Sequence, residues 1–288
     1  MRVVALCLCL AAALIAANLV YSALTGHSDA LTGSAGELLY VASFSGFADE
    51  WNLYEGQQSA RIADDQLELS VSAPQTATWS AARPQFADFD VSVQTVASDG
   101  PLDNAFGLVF HIRNDEQADC DMPAVLLCGL EDLLPLAGAA IRQGLDLKHS
   151  TEYYAFLISS DGYYSLWRTK AGLSKLLSAW IPSPDVRQGI GEENTIRVIA
   201  EGPRYQFYVN GAPHALCLPD DAGAASTFAA GECVDGSMQD SYLAGASAVG
   251  RLGLIAQSTA SGGGGVVVGF DNMIVFSPSA NNGKEARL

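Results

Sequence analysis

Histidines, cysteines and paired acids are the side chains best suited to chemistry, and here they are few and scattered. His27, His111, His149 and His214 lie far apart, and no two cysteines have the C-x-x-C spacing that a zinc site favours. There is no G-x-S-x-G nucleophile turn, and no lysine follows the glycine run at 262–265 to make it a phosphate loop. Asp64 and Asp65 read as a turn before a strand, and Glu131 and Asp132 as solvated charge in an apolar, helix-compatible stretch. No catalytic set and no metal set emerges. What remains is a mixture of rings, guanidinium groups and amides: His111, Arg113, Tyr153, Tyr163, Trp167, Arg197, Gln206 and Tyr208. Sugars are bound by such mixtures, their C–H faces stacked on rings and their hydroxyls taken by polar groups.

These eight share a surface only if strand alternation puts them there. Residues 89–94 alternate without error and turn Phe89, Val91 and Val93 inward, as Leu67, Leu69 and Val71 do earlier. Over 106–113 the same period places Leu108, Phe110 and Ile112 inside and His111 and Arg113 on the opposite face. Inward Tyr154, Phe156 and Ile158 leave Tyr153 outward, and inward Tyr164 and Leu166 leave Tyr163 and Trp167. Inward Ile196 and Val198 leave Arg197, while inward Tyr205, Phe207 and Val209 leave Gln206 and Tyr208. If these strands are neighbours, the eight form one candidate ligand face. The competing arrangement is that long insertions cover this face and make its aromatics a second core.

Turn residues supply the connections. Ser159-Ser160-Asp161-Gly162 joins two strand runs as a hairpin, Glu201-Gly202-Pro203-Arg204 joins two more, and Asn210-Gly211 turns the chain again. Two stretches break the rhythm: 114–151, with Cys120, Cys128 and a helix-compatible run, and 215–250, with Cys217 and Cys233. About ten strands in this length fit one two-sheet sandwich.

Composition agrees with that reading. The 288 residues are 49% hydrophobic, ample for a large core, and 28 Gly with 11 Pro favour a turn-rich β protein. Fifteen basic against 32 acidic residues give a formal charge of -17, which repels phosphate backbones and excludes nucleic acid as a partner. Met1-Arg2 precedes an apolar run over 3–20 broken only by Asn18, the pattern of an export signal. Val20 and Ser22 match a cleavage site poorly, and a run of roughly 20 residues also spans a bilayer, so cleaved signal and retained anchor both stay open. Either way the chain is extracytoplasmic, secreted or held to the membrane by this segment. The expected organisation is signal or anchor at 1–26, linker at 27–36, a sandwich at 37–278 and a flexible tail at 279–288. Cys7 and Cys9 are apolar residues of the signal. The four beyond it, an even number in an exported chain, read as two disulfides, with Cys120 to Cys128 and Cys217 to Cys233 favoured among three connectivities.

The order of segments is informative as a set: FADFDVSV at 86–93, FGLVFHIR at 106–113, YYAFLISSDGYY at 153–164, NTIRV at 194–198, FYVNG at 207–211, GRLGL at 250–254 and FDN at 270–272. It resembles the concanavalin A-like jelly-roll domains of the laminin-G and 3-keto-disaccharide hydrolase type, found in many bacterial exported proteins. The resemblance runs from about residue 44 to 276 and rests on fold-determining positions. It implies an all-β, two-sheet antiparallel jelly-roll sandwich, here with two disulfide-stapled insertions and an N-terminal hydrophobic helix. The E-x-D-x-x-E strand of the glucanase branch of this fold has no counterpart here. Laminin-G modules often hold calcium at loop ends, and Asp119, Asp121, Asp220, Asp221, Asp235 and Asp240 are the candidates, but none forms a D-x-D-x-D-G loop. No cofactor is expected, with calcium left open.

The leading expectation is an exported, non-catalytic module that recognises a glycan or another envelope component. A 3-keto-glycoside hydrolase-like enzyme is the first alternative, and it requires His111, Arg113 and an acid in one pocket. A membrane-anchored accessory subunit docking an envelope protein is the second.

Overall fold

The computed structural model describes residues 30–45, 50–114, 151–246, 248–259 and 265–279. The N-terminal signal or anchor, Cys120 and Cys128 with their insertion, Asp119 and Asp121, and residues 280–288 lie outside the described residues. Within them the alternating runs fold as strands, in chain order β1 (Leu38–Ala42), β2 (Gln58–Ala63), β3 (Gln66–Val71), β4 (Ala77–Phe86), β5 (Phe89–Asp99) and β6 (Ala105–Asn114). Next come β7 (Thr151–Ile158), β8 (Tyr163–Lys170), β9 (Leu173–Pro182), β10 (Glu193–Glu201), β11 (Arg204–Val209) and β12 (Ala212–Pro213). The series ends with β13 (Leu216–Pro219), β14 (Thr227–Ala229), β15 (Glu232–Val234), β16 (Gly236–Gln239), β17 (Tyr242–Leu243), β18 (Gly250–Gln257) and β19 (Val266–Phe276).

Two sheets carry the architecture. One has six strands in the order β4-β18-β6-β7-β8-β9; the other has nine, β12-β11-β10-β5-β19-β3-β2 with β1 on β19 and β17 on β11. Every pairing between these strands is antiparallel. Their inner faces meet in one core, where Phe89, Val91, Val198, Phe207 and Phe270 of the larger sheet pack on Leu108, Phe156, Leu166 and Leu254 of the smaller. Each such side chain, fully buried, contributes roughly 1.5–3 kcal/mol of transfer free energy. The expected two-sheet jelly-roll sandwich is the observed fold, and among the described residues there is no helix.

The turns form as their residues dictate. Between β7 and β8, Gly162 takes φ 92° and the Ser159 N–H donates to the Tyr163 carbonyl at 3.0 Å. Asn210 and Gly211, at φ 52° and 82°, make the two-residue turn joining β11 to β12. Where alternation fails, strands still form. In β9 Leu176 and Leu177 are adjacent and the register with β8 shifts twice, so the strand shows no clean period.

The stretch from 215 to 250 is built of the short ribbons β13-β16 and β14-β15. The disulfide Cys217–Cys233 joins β13 to β15, as expected. Its segment lies along β9: the Cys217 N–H donates to Ser178 Oγ at 3.0 Å and the Ala179 N–H to Ser226 Oγ at 2.8 Å. The staple thereby covers what would otherwise be an open sheet edge.

One irregularity alters the alternation. The register of β6 on β7 slips between Phe110 and Arg113, and His111 at the slip takes φ 50°. This β-bulge inverts every side chain beyond it. Ile112, expected inside, packs in the cluster on the outer face of the six-stranded sheet; His111, expected outside, is 1% exposed between the sheets. Gly250 makes room for the bulge, since a Cβ there would lie 2.6 Å from the His111 carbonyl carbon.

Candidate functional site

The bulge turns Arg113 to the inner side of the sheet at the end of β6, where the paired strands supply its neighbours. Arg113 on β6 faces Glu152 on β7, which faces Lys170 on β8, and Tyr154 in the next row faces Arg168. Alternation from the core residues Tyr164 and Leu166 carries Arg168 and Lys170 to the inner side. The segment from β17 to β18 closes the far wall with Gly245, Ala246 and Ala248, leaving a pocket of about 250 Å³ that His111, Arg113 and Glu152 also line.

Charge is concentrated here. The Glu152 side chain is 5% exposed and receives hydrogen bonds from Arg113 Nη2 and from Arg168 Nε and Nη2, while Lys170 Nζ stands 3.9 Å away. Burial by itself would raise the Glu152 pKa, but the hydrogen bonds and charges of Arg168 and Arg113 outweigh it and hold the carboxyl below its usual range. Glu152 is therefore an ionised acceptor, not a proton donor. Arg168 also sits over the Tyr154 ring, 5.7 Å from its centroid.

His111 is the odd member. Its ring packs 5.2 Å from both Phe89 and Tyr205, and among the described residues neither ring nitrogen has a hydrogen-bond partner. Burial, with the Arg113 charge behind it, lowers its pKa to about 4, so the ring is neutral near pH 7 and offers one donor and one acceptor. The buried Tyr205 hydroxyl beside it is also unpartnered. Burial raises the phenols of Tyr154, to about 12, and of Tyr242, so both keep their protons as donors.

A second surface lies on the outer face of the six-stranded sheet. Ala81, Val109, Ile112, Ala155, Leu157 and Ile255 form an apolar floor, and Trp79, Tyr153, Trp167 and Trp180 pack half-buried upon it. Trp79 and Tyr153 are stacked, with centroids 6.3 Å apart and planes at 27°, and Trp167 Nε1 donates to Ser165 Oγ at 2.8 Å. Tyr163 is on this face too, four residues before Trp167 and outside the cluster.

The eight residues of the expected face are thus distributed over three places. His111 and Arg113 reach the end pocket, and Tyr153, Tyr163 and Trp167 the outer face of the smaller sheet. Arg197, Gln206 and Tyr208 lie on the outer face of the larger sheet, where Arg197 pairs bidentately with Asp90 and stands 5.3 Å from the Tyr208 ring centroid. One face was expected on the condition that these strands are all neighbours; β10 and β11 belong instead to the larger sheet, and within the smaller sheet the bulge takes His111 and Arg113 off the outer face. Glu152, Arg168 and Lys170 were missed although alternation from Tyr154 and Leu166, carried to the strand ends, points to them. Trp180 was missed because β9 shows no period.

Among the described residues no group of three or more His, Cys, Asp or Glu is placed to hold a metal ion. Of the described calcium candidates, Asp221 caps its own turn through Gly223 at 2.8 Å, and Asp220 and Asp235 meet through a backbone hydrogen bond.

The sequence matches no family model and no curated protein. In structure it is similar to a protein of unknown function with a galectin-like fold from Bacillus subtilis, at 12% identity over 85% of this chain and 97% of that one, TM-score 0.51. Looser likenesses are to the carbohydrate-binding module CBM66 from Bacillus subtilis (11% identity, 79% of this chain and 96% of that one, TM-score 0.44) and a beta-glucanase from Bacillus licheniformis (7%, 85% and 99%, TM-score 0.45). The shared element is the fold, a galectin-like and concanavalin A-like jelly-roll sandwich.

Proposed function

We propose that this chain is an exported carbohydrate-binding module whose saccharide lies across the outer face of the six-stranded sheet. One observation carries the reading: Trp79, Tyr153, Trp167 and Trp180, including three of the four tryptophans in the chain, share that face on an apolar floor. Sugar rings stack on such plates through their C–H faces. The Cys217–Cys233 disulfide supports export, since such bonds persist in oxidising compartments. The test is a glycan-array screen followed by titration of Trp167→Ala. A partly exposed ring should cost about 1–2 kcal/mol of stability on truncation, below the ~3–5 kcal/mol of a core tryptophan, while affinity falls at least tenfold. A core-sized stability loss with unchanged affinity would make the face a covered second core and remove the proposal.

A second reading has an observation of its own. The end pocket unites His111, Arg113 and an acid, Glu152, the set that the 3-keto-glycoside hydrolase-like alternative requires. Turnover of 3-keto-glycosides by the purified protein, abolished in His111→Phe, would favour the enzyme; absence of turnover would leave the binding module.

A further inference from the structure

Three cations, Arg113, Arg168 and Lys170, surround one carboxylate, Glu152, so among the described residues the end pocket keeps two positive charges uncompensated. This is unusual ground in a chain of formal charge -17 with 15 basic residues in all. Neither arginine is exhausted among the described residues: there the Arg113 Nη2 bond to Glu152 leaves Nε and Nη1 without a partner, and Arg168 engages Nε and Nη2 only. Beside this charge a neutral, fully buried imidazole, His111, lines the pocket with both ring nitrogens unpaired. A buried polar group normally has a partner, and one without it costs about 1–3 kcal/mol.

We propose that the end pocket binds a sugar acid, taking its carboxylate on the free guanidinium donors of Arg113 and Arg168 and a ring hydroxyl on His111. The guanidinium N–H groups not spent on Glu152 are charge-assisted donors that a carboxylate can accept. His111 supplies one donor and one acceptor, the complement of a hydroxyl. At about 250 Å³ the pocket holds one sugar ring and not a polymer. Gly245, Ala246 and Ala248 line the far wall with no side chain larger than a methyl group. This site is separate from the aromatic face of the proposed function and stands or falls without it.

The experiment is calorimetric titration of the full-length protein with D-glucuronate and D-galacturonate, with D-glucose and inorganic sulfate as controls. At least one hexuronate should bind saturably, D-glucose should not, and affinity should weaken as salt is raised. Arg113→Gln and Arg168→Lys, the second keeping the charge but losing the guanidinium donors, should each lower affinity at least tenfold, whereas Arg61→Gln, in an exposed pair outside the pocket, should leave it unchanged. Binding of neither hexuronate, equal binding of D-glucose, or wild-type affinity in both arginine variants would overturn the proposal. Sulfate binding as tightly as the hexuronates would overturn the assignment to a sugar acid and leave an adventitious ion only.

Discussion

Replacing His111 by Phe separates a ring placed for packing from one placed for its nitrogens. The imidazole is 1% exposed, sits among Phe89, Phe110 and Tyr205, and has no hydrogen-bond partner for either nitrogen. A buried polar group left unpaired costs roughly 1–3 kcal/mol, and the larger phenyl ring gives part of that back as overpacking, less here because one side of the ring borders the pocket. At pH 7.5 the variant should be more stable by about 1 kcal/mol, or ~2–4 °C in a domain of this size.

Acid widens the difference. The folded-state pKa of His111 is about 4, below the ordinary 6.5, so the unfolded chain takes up a proton in a range where the folded chain refuses it. The stability held by the neutral ring is complete above pH 6.5 and is lost as pH falls toward 4. With 1.36 kcal/mol for each pKa unit, that loss approaches about 3 kcal/mol, and the variant escapes it. Urea unfolding of both proteins at pH 7.5, 5.5 and 4.5 measures the effect. Parallel pH profiles, or a variant weaker by more than about 2 kcal/mol at pH 7.5, would show that the imidazole is satisfied and that its burial is not a strain.

Glu152→Gln should destabilise by about 1–3 kcal/mol, less than a fully buried pair because its cationic partners are partly exposed. Its folded pKa is lowered, so the pairing acts fully above the ordinary carboxylate pKa of 4.5 and is lost as pH falls below it; the wild-type advantage in urea should shrink there and not between pH 5 and 7. Gly250→Ala puts a methyl group 2.6 Å from the His111 carbonyl carbon, so the bulge must move. An unfolding midpoint lowered by more than ~1 kcal/mol, with chemical-shift changes centred on 110–113, is the expected result, and an unchanged midpoint would mean that Gly250 is not what holds the bulge in place.

Where side chains alternate and one face is buried, period 2 reads the structure directly. Phe89, Val91, Val93, Phe156, Leu166, Phe207 and Val209 all point as their spacing predicts, because a slip of one residue would expose the whole set. The hairpin turns were legible because Gly162 and the Asn210-Gly211 pair occupy positive φ. What escaped has a physical cause in each case. The ribbons β13 to β17 are two to four residues long, too short to show a period. In β9 two register slips break the apolar pattern that would have exposed Trp180. Nothing in the local sequence of 106–113 marks the bulge, because its partner, Gly250, lies far along the chain and meets it only through the sheet.

That single bulge determines where the polar side chains of the smaller sheet go. Without it, His111 and Arg113 would join Tyr153 and Trp167 on the outer face, and Glu152 would be a buried carboxylate with Arg168 and Lys170 but without Arg113. With it, Arg113 arrives opposite Glu152, and the carboxylate acquires the second guanidinium that helps hold it ionised. The same inversion drives His111 into the core, at a cost that the apolar Ile112, moved the other way, does not offset with any hydrogen bond. A fold selected for stability alone would place an apolar residue at 111, as the strained backbone there needs no imidazole. Among the described residues, the unpaired ring and the two surplus charges lie within one small pocket. Their coincidence is the observation on which the proposed sugar-acid site rests.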